Sequence, residues 1–219
     1  NEIKEKKEID RNGLGFHKSN MWNKVVDINH CYLQPNPSND IRNCIREYAL
    51  KIKLDFFDPV KKSGFLRTLM IKNTLKGEIM VLIQLFKENK EKRESLLEFI
   101  FLKFPQITSL LYCINSKPND SIFDQEIICF RGTNYITEKI DKLYFRIGAK
   151  SFFQTNSKQA KILFNIIKDF AALKLTDLVY DLYTGTGTIA LILAKYCTRI
   201  VGIDSISEAI ESARKNAQL

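Results

Sequence analysis

The sequence predicts an α/β protein, with an α+β central module over residues 1–144 and the opening of a Rossmann-like, doubly wound sheet over residues 145–219. Three observations carry this. The apolar run at 178–182 reads as a buried strand, followed by a tight turn with Gly185 and Gly187, an apolar helix at 189–196 and a second strand at 200–204 ending on Asp204. Upstream, Ile162, Phe164, Ile166, Ile167 and Phe170 recur at helical spacing over 156–173 and feed the strand that holds Asp181. Before residue 144, strand-like and helix-periodic segments alternate irregularly between proline and glycine turns, the pattern of an α+β unit with its own core.

Taken in order, residues 1–12 are charged and carry no apolar helical stripe. With no initiator Met and only two strands of a six- or seven-stranded sheet, the chain is expected to be a fragment. Short strands are expected between 16 and 33, broken by Pro35-Asn36-Pro37, with a helix over about 38–54 that Ser38 or Asn39 can cap. Two strands at about 65–73 and 78–86 meet at a Gly77 turn. The charged run 87–93 reads as an exposed helix start or loop before a helix at about 94–104, which Pro105 stops. Residues 109–115 and 125–131 are again strand-like, and the module ends near Leu143.

The glycine turn is the chemically informative part. Glycine lets the backbone turn off the strand and approach a ligand closely. Asp204, at the carboxyl end of the second strand, is placed to accept two hydrogen bonds from a ribose diol. The spacing of Gly185, Gly187 and Ala190 satisfies a loose dinucleotide pattern, whereas Asp181 inside the strand gives the order D-x-x-x-G-x-G associated with S-adenosylmethionine. Both cofactor classes fit the residues, as does an ordinary strand-to-helix turn.

Ser151-Phe152-Phe153-Gln154-Thr155-Asn156, the loop Asp181-Leu182-Tyr183-x-Gly185-x-Gly187-Thr188, Gly202-Ile203-Asp204 and Ala213-Arg214-Lys215-Asn216-Ala217 together resemble the ordered motifs of the RNA uracil-5 methyltransferases, in particular the bacterial 23S rRNA enzymes. The resemblance extends to Gly15-Phe16-His17-Lys18, to the run from Lys24 to Leu33, and to Gly64-Phe65-Leu66-Arg67 and Gly77-Glu78-Ile79-Met80-Val81. Thr184 stands where the family has Cys or Ser, and Asp204 where it has Glu. The resemblance implies an S-adenosylmethionine site made by Gln154, Tyr183, Gly185, Gly187, Thr188 and Asp204, behind a central RNA-binding domain at 1–144. It implies methylation of uridine C5, in which a cysteine adds to C6, C5 takes the methyl group and a carboxylate removes the C5 proton. In the family those two catalytic groups follow the second strand. No catalytic residue is therefore expected in this chain, which is expected to be inactive alone.

A formal charge of +9, from 34 basic and 25 acidic residues, suits a polyanionic partner such as rRNA. Lys18, Trp22, Lys24 and Arg67 are expected to face it, and Phe152 and Phe153 either stack on a flipped base or belong to the core. The chain is expected to be cytoplasmic, with no membrane span and no obligate protein partner. The five cysteines lack C-x-x-C spacing, which argues against a disulfide framework. Cys44, Cys113, Cys129 and Cys197 read as small buried apolar residues. Cys31 occupies the position of a fourth ligand to a 4Fe-4S cluster in the rRNA members of the family, whose three other cysteines are absent here, and reads equally well as a structural thiol. A dinucleotide-binding oxidoreductase, a tRNA methyltransferase and a non-catalytic RNA-binding protein with a vestigial cofactor fold are the alternatives.

Overall fold

A computed structural model describes residues 12–219. The charged segment 1–11 lies outside the described residues. The elements run β1 (Gly15–Lys18), β2 (Met21–Asp27), α1 (Ser38–Lys51), β3 (Leu66–Asn73), β4 (Ile79–Leu85), α2 (Lys90–Lys103), β5 (Ser109–Ile114), β6 (Ile128–Gly132), β7 (Tyr135–Ile140) and β8 (Leu143–Gly148). They continue with α3 (Ser157–Ala171), β9 (Leu178–Leu182), α4 (Thr188–Leu193), a short 3-10 turn at Ala194–Tyr196, β10 (Arg199–Ile203) and α5 (Ser207–Asn216). A four-stranded sheet has the order β3-β4-β5-β6; β1 with β2, β7 with β8 and β9 with β10 form two-stranded sheets. No described helix is long and apolar enough to cross a membrane.

The described chain divides into two compact units. One comprises residues up to 69 with 83–105 and 113–121; the other comprises 70–82, 106–112 and 122–219. In the first, α1 buries Ile41, Ile45 and Ala49, and α2 buries Leu96, Leu97 and Ile100. The two helices meet where Tyr48 stacks on Phe99, ring centroids 3.7 Å apart, with its hydroxyl 2.8 Å from Ser95 Oγ. The charged run 87–93 becomes the opening turns of α2, because the Asn89 side chain caps the helix by accepting the Lys92 amide at 3.0 Å.

The expected cap of α1 is corrected. The N-cap is Pro37, without a side-chain bond. Asn39 instead turns its amide onto the Cys31 backbone, accepting from Cys31 N at 2.7 Å and donating to Cys31 O at 3.1 Å. Cys129 is a second correction: it is exposed, because β6 is the edge strand of its sheet, whereas Cys113 and Cys197 are buried as expected and Cys44 is half-buried.

In the second unit, β7 and β8 form a hairpin that sequence periodicity did not single out, pairing Glu138 with Phe145 and turning at Asp141 with φ +53°. Ile140 and Phe145 of the hairpin and Ala160 and Phe164 of α3 form a buried cluster, with Phe153, Ile189 and Ile192 packed against it. This cluster seats α3 and α4 on the hairpin. β9 and β10 run parallel, in register Asp181 to Gly202 and Leu182 to Ile203. The strand at 178–182 lies where its apolar run predicts but is not buried as expected, since Leu178, Tyr180 and Leu182 are exposed; the helix expected at 189–196 is α4 plus the 3-10 turn.

Candidate cofactor site

The site is built on the carboxyl ends of β9 and β10. After Leu182 the chain passes through three left-handed residues, Tyr183 (φ +63°), Gly185 (φ +56°) and Gly187 (φ +79°), before α4 begins. Gly187, the N-cap of α4, has no side chain with which to cap it. Asp181, inside β9, does so instead: one carboxylate oxygen accepts the Ala190 amide at 3.1 Å and the Thr184 hydroxyl at 2.7 Å. A carboxylate in the strand thus satisfies a free amide in the first turn of the helix and holds the loop between them.

Asp204 fixes the same loop from β10. Its two oxygens are divided, one accepting the Gly185 amide at 2.9 Å and the other the Ile206 amide at 3.0 Å. The Ile206 and Gly185 amides hold its carboxyl below the usual carboxylate range. The Ser205 amide is a third backbone donor to this carboxylate, which leaves acceptor capacity for a further donor. A Cβ at Gly185 would meet nothing within 4 Å, so the loop is open on that side. At Gly202 the opposite holds: a Cβ there would lie 2.7 Å from Thr184 Oγ1, so glycine lets the loop lie flat on β10, where the Thr184 amide donates to Ile203 O at 3.0 Å.

Of the residues expected at the cofactor, Gly185 and Asp204 are joined directly. Thr188 opens α4, its hydroxyl 3.0 Å from that of Thr186. Tyr183 projects from the loop, 89% exposed. Gln154 has no hydrogen bond to the loop among the described residues; it lines a hollow of about 350 Å³ with Asn156, Gln159 and Leu163 of the α3 entry. Asn156 caps α3 by accepting the Gln159 amide at 3.1 Å. The Phe152-Phe153 pair is split, with Phe153 turned inward against Phe145 at 6.1 Å and Phe152 turned outward, 74% exposed.

The motif Ala213-x-x-Asn216 acquires a structural role that its spacing alone did not reveal. Ala213 lies where a Cβ on Gly187 would come within 3.0 Å of its own. Asn216, buried, donates to Thr186 O at 3.0 Å and accepts the Arg146 amide at 2.8 Å, tying α5 to the glycine loop and to β8. Two other residues, Lys72 and Glu138, were not singled out from sequence; they are ionic groups, half-buried and buried respectively, inside otherwise ordinary strands, and only their partners mark them.

In the other unit, Trp22, Lys24 and Arg67 line one groove of about 1360 Å³. Arg67 is not free to follow phosphates there. Its guanidinium donates to Asn115 O and Lys117 O, both at 2.7 Å, and lies 4.6 Å from the centre of the Phe57 ring, so it holds a loop. Cys31 is buried, and no group of three or more His, Cys, Asp or Glu able to hold a metal occurs among the described residues. The residues present do not fit an iron–sulfur cluster, which needs about four thiolates. Cys197 is no candidate nucleophile, since it is buried with its Sγ directed at Leu193 O.

The chain has the mixed α/β fold of a solved methyltransferase. It superimposes on the Pyrococcus abyssi tRNA (uracil-54, C5)-methyltransferase, solved in complex with S-adenosyl-L-homocysteine, with a TM-score of 0.76 and 28% identity, covering 94% of this chain and 49% of that one. In sequence it is similar to an uncharacterized RNA methyltransferase of Porphyromonas gingivalis, 50% identical over 211 residues, which are 95% of this chain and 45% of the relative. A second uncharacterized RNA methyltransferase, from Bacteroides thetaiotaomicron, is 43% identical over 95% of this chain and 46% of its own length. The chain therefore spans less than half the length of these curated relatives. No family model matches it.

Proposed function

We propose that this chain supplies the cofactor-binding segment of an S-adenosylmethionine-dependent RNA methyltransferase that acts on C5 of a uridine in 23S rRNA. Residues 145–219 begin the cofactor domain, and Trp22 and Lys24, in the groove of the other unit, face the RNA. The observation that carries the reading is the Asp204 carboxylate, pinned by the Gly185 and Ile206 amides at the end of a parallel strand, beside an open glycine loop. The acceptor capacity Asp204 keeps beyond its backbone donors receives a ribose hydroxyl. Tyr183 and Thr188 line the loop, and Gln154 orients the far end of the cofactor from the α3 entry. The cofactor supplies an electrophilic methyl group; the residues named here bind and orient it.

Calorimetric titration with S-adenosylhomocysteine and with NAD tests the cofactor. Binding of the first and not of the second is expected; the reverse would assign a dinucleotide. Tritium release from 23S rRNA carrying [5-³H]uridine, catalysed by the complete reading frame, tests the reaction. A tRNA substrate is the second reading, favoured by the solved tRNA (uracil-54, C5)-methyltransferase that shares the fold. The same assay with labelled tRNA separates the two.

A further inference from the structure

Two ionic side chains, Lys72 half-buried and Glu138 buried, with no ion pair to each other, bracket the segment that carries Gln154. On its near side, the Lys72 ammonium of β3 donates to Gly148 O at 3.1 Å, to Ala149 O at 2.9 Å and to Ser151 O at 2.9 Å. Three carbonyls thus take the three ammonium protons. On its far side, Glu138 of β7 is fully buried at 0% exposure. Its carboxylate accepts the Ser157 hydroxyl at 2.7 Å, the Leu75 amide at 3.0 Å and the Lys139 amide at 2.9 Å. Ser157 is the first residue of α3, next to the cap Asn156.

Between the Ser151 carbonyl and the Ser157 hydroxyl lie only Phe152, Phe153, Gln154, Thr155 and Asn156. The near end is further closed by the Ser151 hydroxyl, which accepts the Gly148 amide at 3.2 Å, and Phe153 is anchored on Phe145. Burying an ammonium and a carboxylate is costly, and burial pushes Lys72 down to about 8. An apolar residue at either position would leave those carbonyls, amides and the hydroxyl without their partner, so each ionic group is matched to the main chain it holds. Lys72 gathers the Gly148, Ala149 and Ser151 carbonyls at one end of the connection, and Glu138 ties the Ser157 hydroxyl at the other end to the Leu75 and Lys139 amides.

We propose that Lys72 and Glu138 are positioning residues that clamp the Ser151–Ser157 connection so that the Gln154 amide is presented to the cofactor. The proposal rests on the cofactor reading above and deepens it. Neither residue touches the ligand.

The test uses the complete protein, with S-adenosylhomocysteine affinity measured by calorimetry and KM and kcat by tritium release. Lys72→Met and Glu138→Gln are each expected to weaken affinity and lower kcat/KM on the order of tenfold to a hundredfold, as misplacement of an orienting group does. Lys72→Arg, which keeps charge and donors, is expected to recover most of the loss. The deciding measurement is a double-mutant cycle with Gln154→Ala: once the amide is gone, Lys72→Met should cost little further affinity. Should Lys72→Met fail to fold, Glu138→Gln carries the same cycle. Affinity within twofold of the parent in both single variants, or an unchanged loss in the Gln154→Ala background, would overturn the clamp while leaving the cofactor site intact. Absence of S-adenosylhomocysteine binding by the parent, or binding indifferent to Asp204→Ala, would overturn the cofactor reading and the clamp with it.

Discussion

Asp204 and Gly185 are joined at 2.9 Å, carboxylate to amide, across the ends of two parallel strands. The bond makes one residue both the orienter of the loop and the acceptor it presents. Asp204→Ala is therefore expected to weaken S-adenosylhomocysteine binding by about 2 kcal/mol, the value of a hydrogen bond to a charged group. Asp204→Asn, which keeps one acceptor oxygen, should lose less. The amides of Ile206 and Gly185 depress the carboxyl below its ordinary 3.8, so the ionised form is complete at neutral pH. Its contribution is present above the ordinary value and is lost as pH falls through the lower folded one. Calorimetry from pH 8 to 5 should find affinity insensitive to this group.

Asn216→Ala removes the partner of two main-chain groups at once, Thr186 O and Arg146 N. The expected cost is about 2–4 kcal/mol in urea unfolding, with both groups left buried or half-buried and unpaired. Gly202→Ala should also destabilise, by about 1–3 kcal/mol, since the new methyl meets the Thr184 side chain.

Phe152 and Phe153 are adjacent in sequence and opposite in role. Phe153→Ala is expected to cost about 2 kcal/mol of stability, less than a fully buried ring because the residue is only half-buried. Phe152→Ala should leave stability within about 0.5 kcal/mol. If the outward ring stacks on an RNA base, kcat/KM for RNA falls by about tenfold at unchanged S-adenosylhomocysteine affinity. Steady-state kinetics beside thermal unfolding separate the two effects.

Lys72 makes stability depend on pH in the direction opposite to a salt-bridged lysine. Burial lowers its folded value to about 8 from an ordinary 10.5. Between those values the native state has lost a proton that the unfolded chain still binds, so stability rises with pH. The gain over pH 8 to 10.5 is at most about 3 kcal/mol. The difference between the parent and Lys72→Met in urea unfolding should therefore change over that range, moving in the parent's favour as pH rises, while groups common to both cancel.

What the sequence determined by itself was local. The apolar run of β9, the helical stripe of α3 and the glycines of the loop after β9 each express a preference of a few neighbouring residues, and each element lies within a few positions of its expected place. The place of Asp204 just past the second strand was legible for the same reason. The tertiary structure decided the partners. Asn39 can cap α1 by type, yet its amide is claimed by Cys31, eight residues upstream. Arg67 reads as a cation for RNA, yet its donors are claimed by carbonyls about fifty residues away. Lys72 meets Gly148 across 76 residues, and Asn216 meets Arg146 across 70. A side chain bonding to distant backbone leaves no periodicity behind, since the acceptor is a main-chain group common to every residue type. Only the folded path of the chain selects which carbonyl or amide arrives.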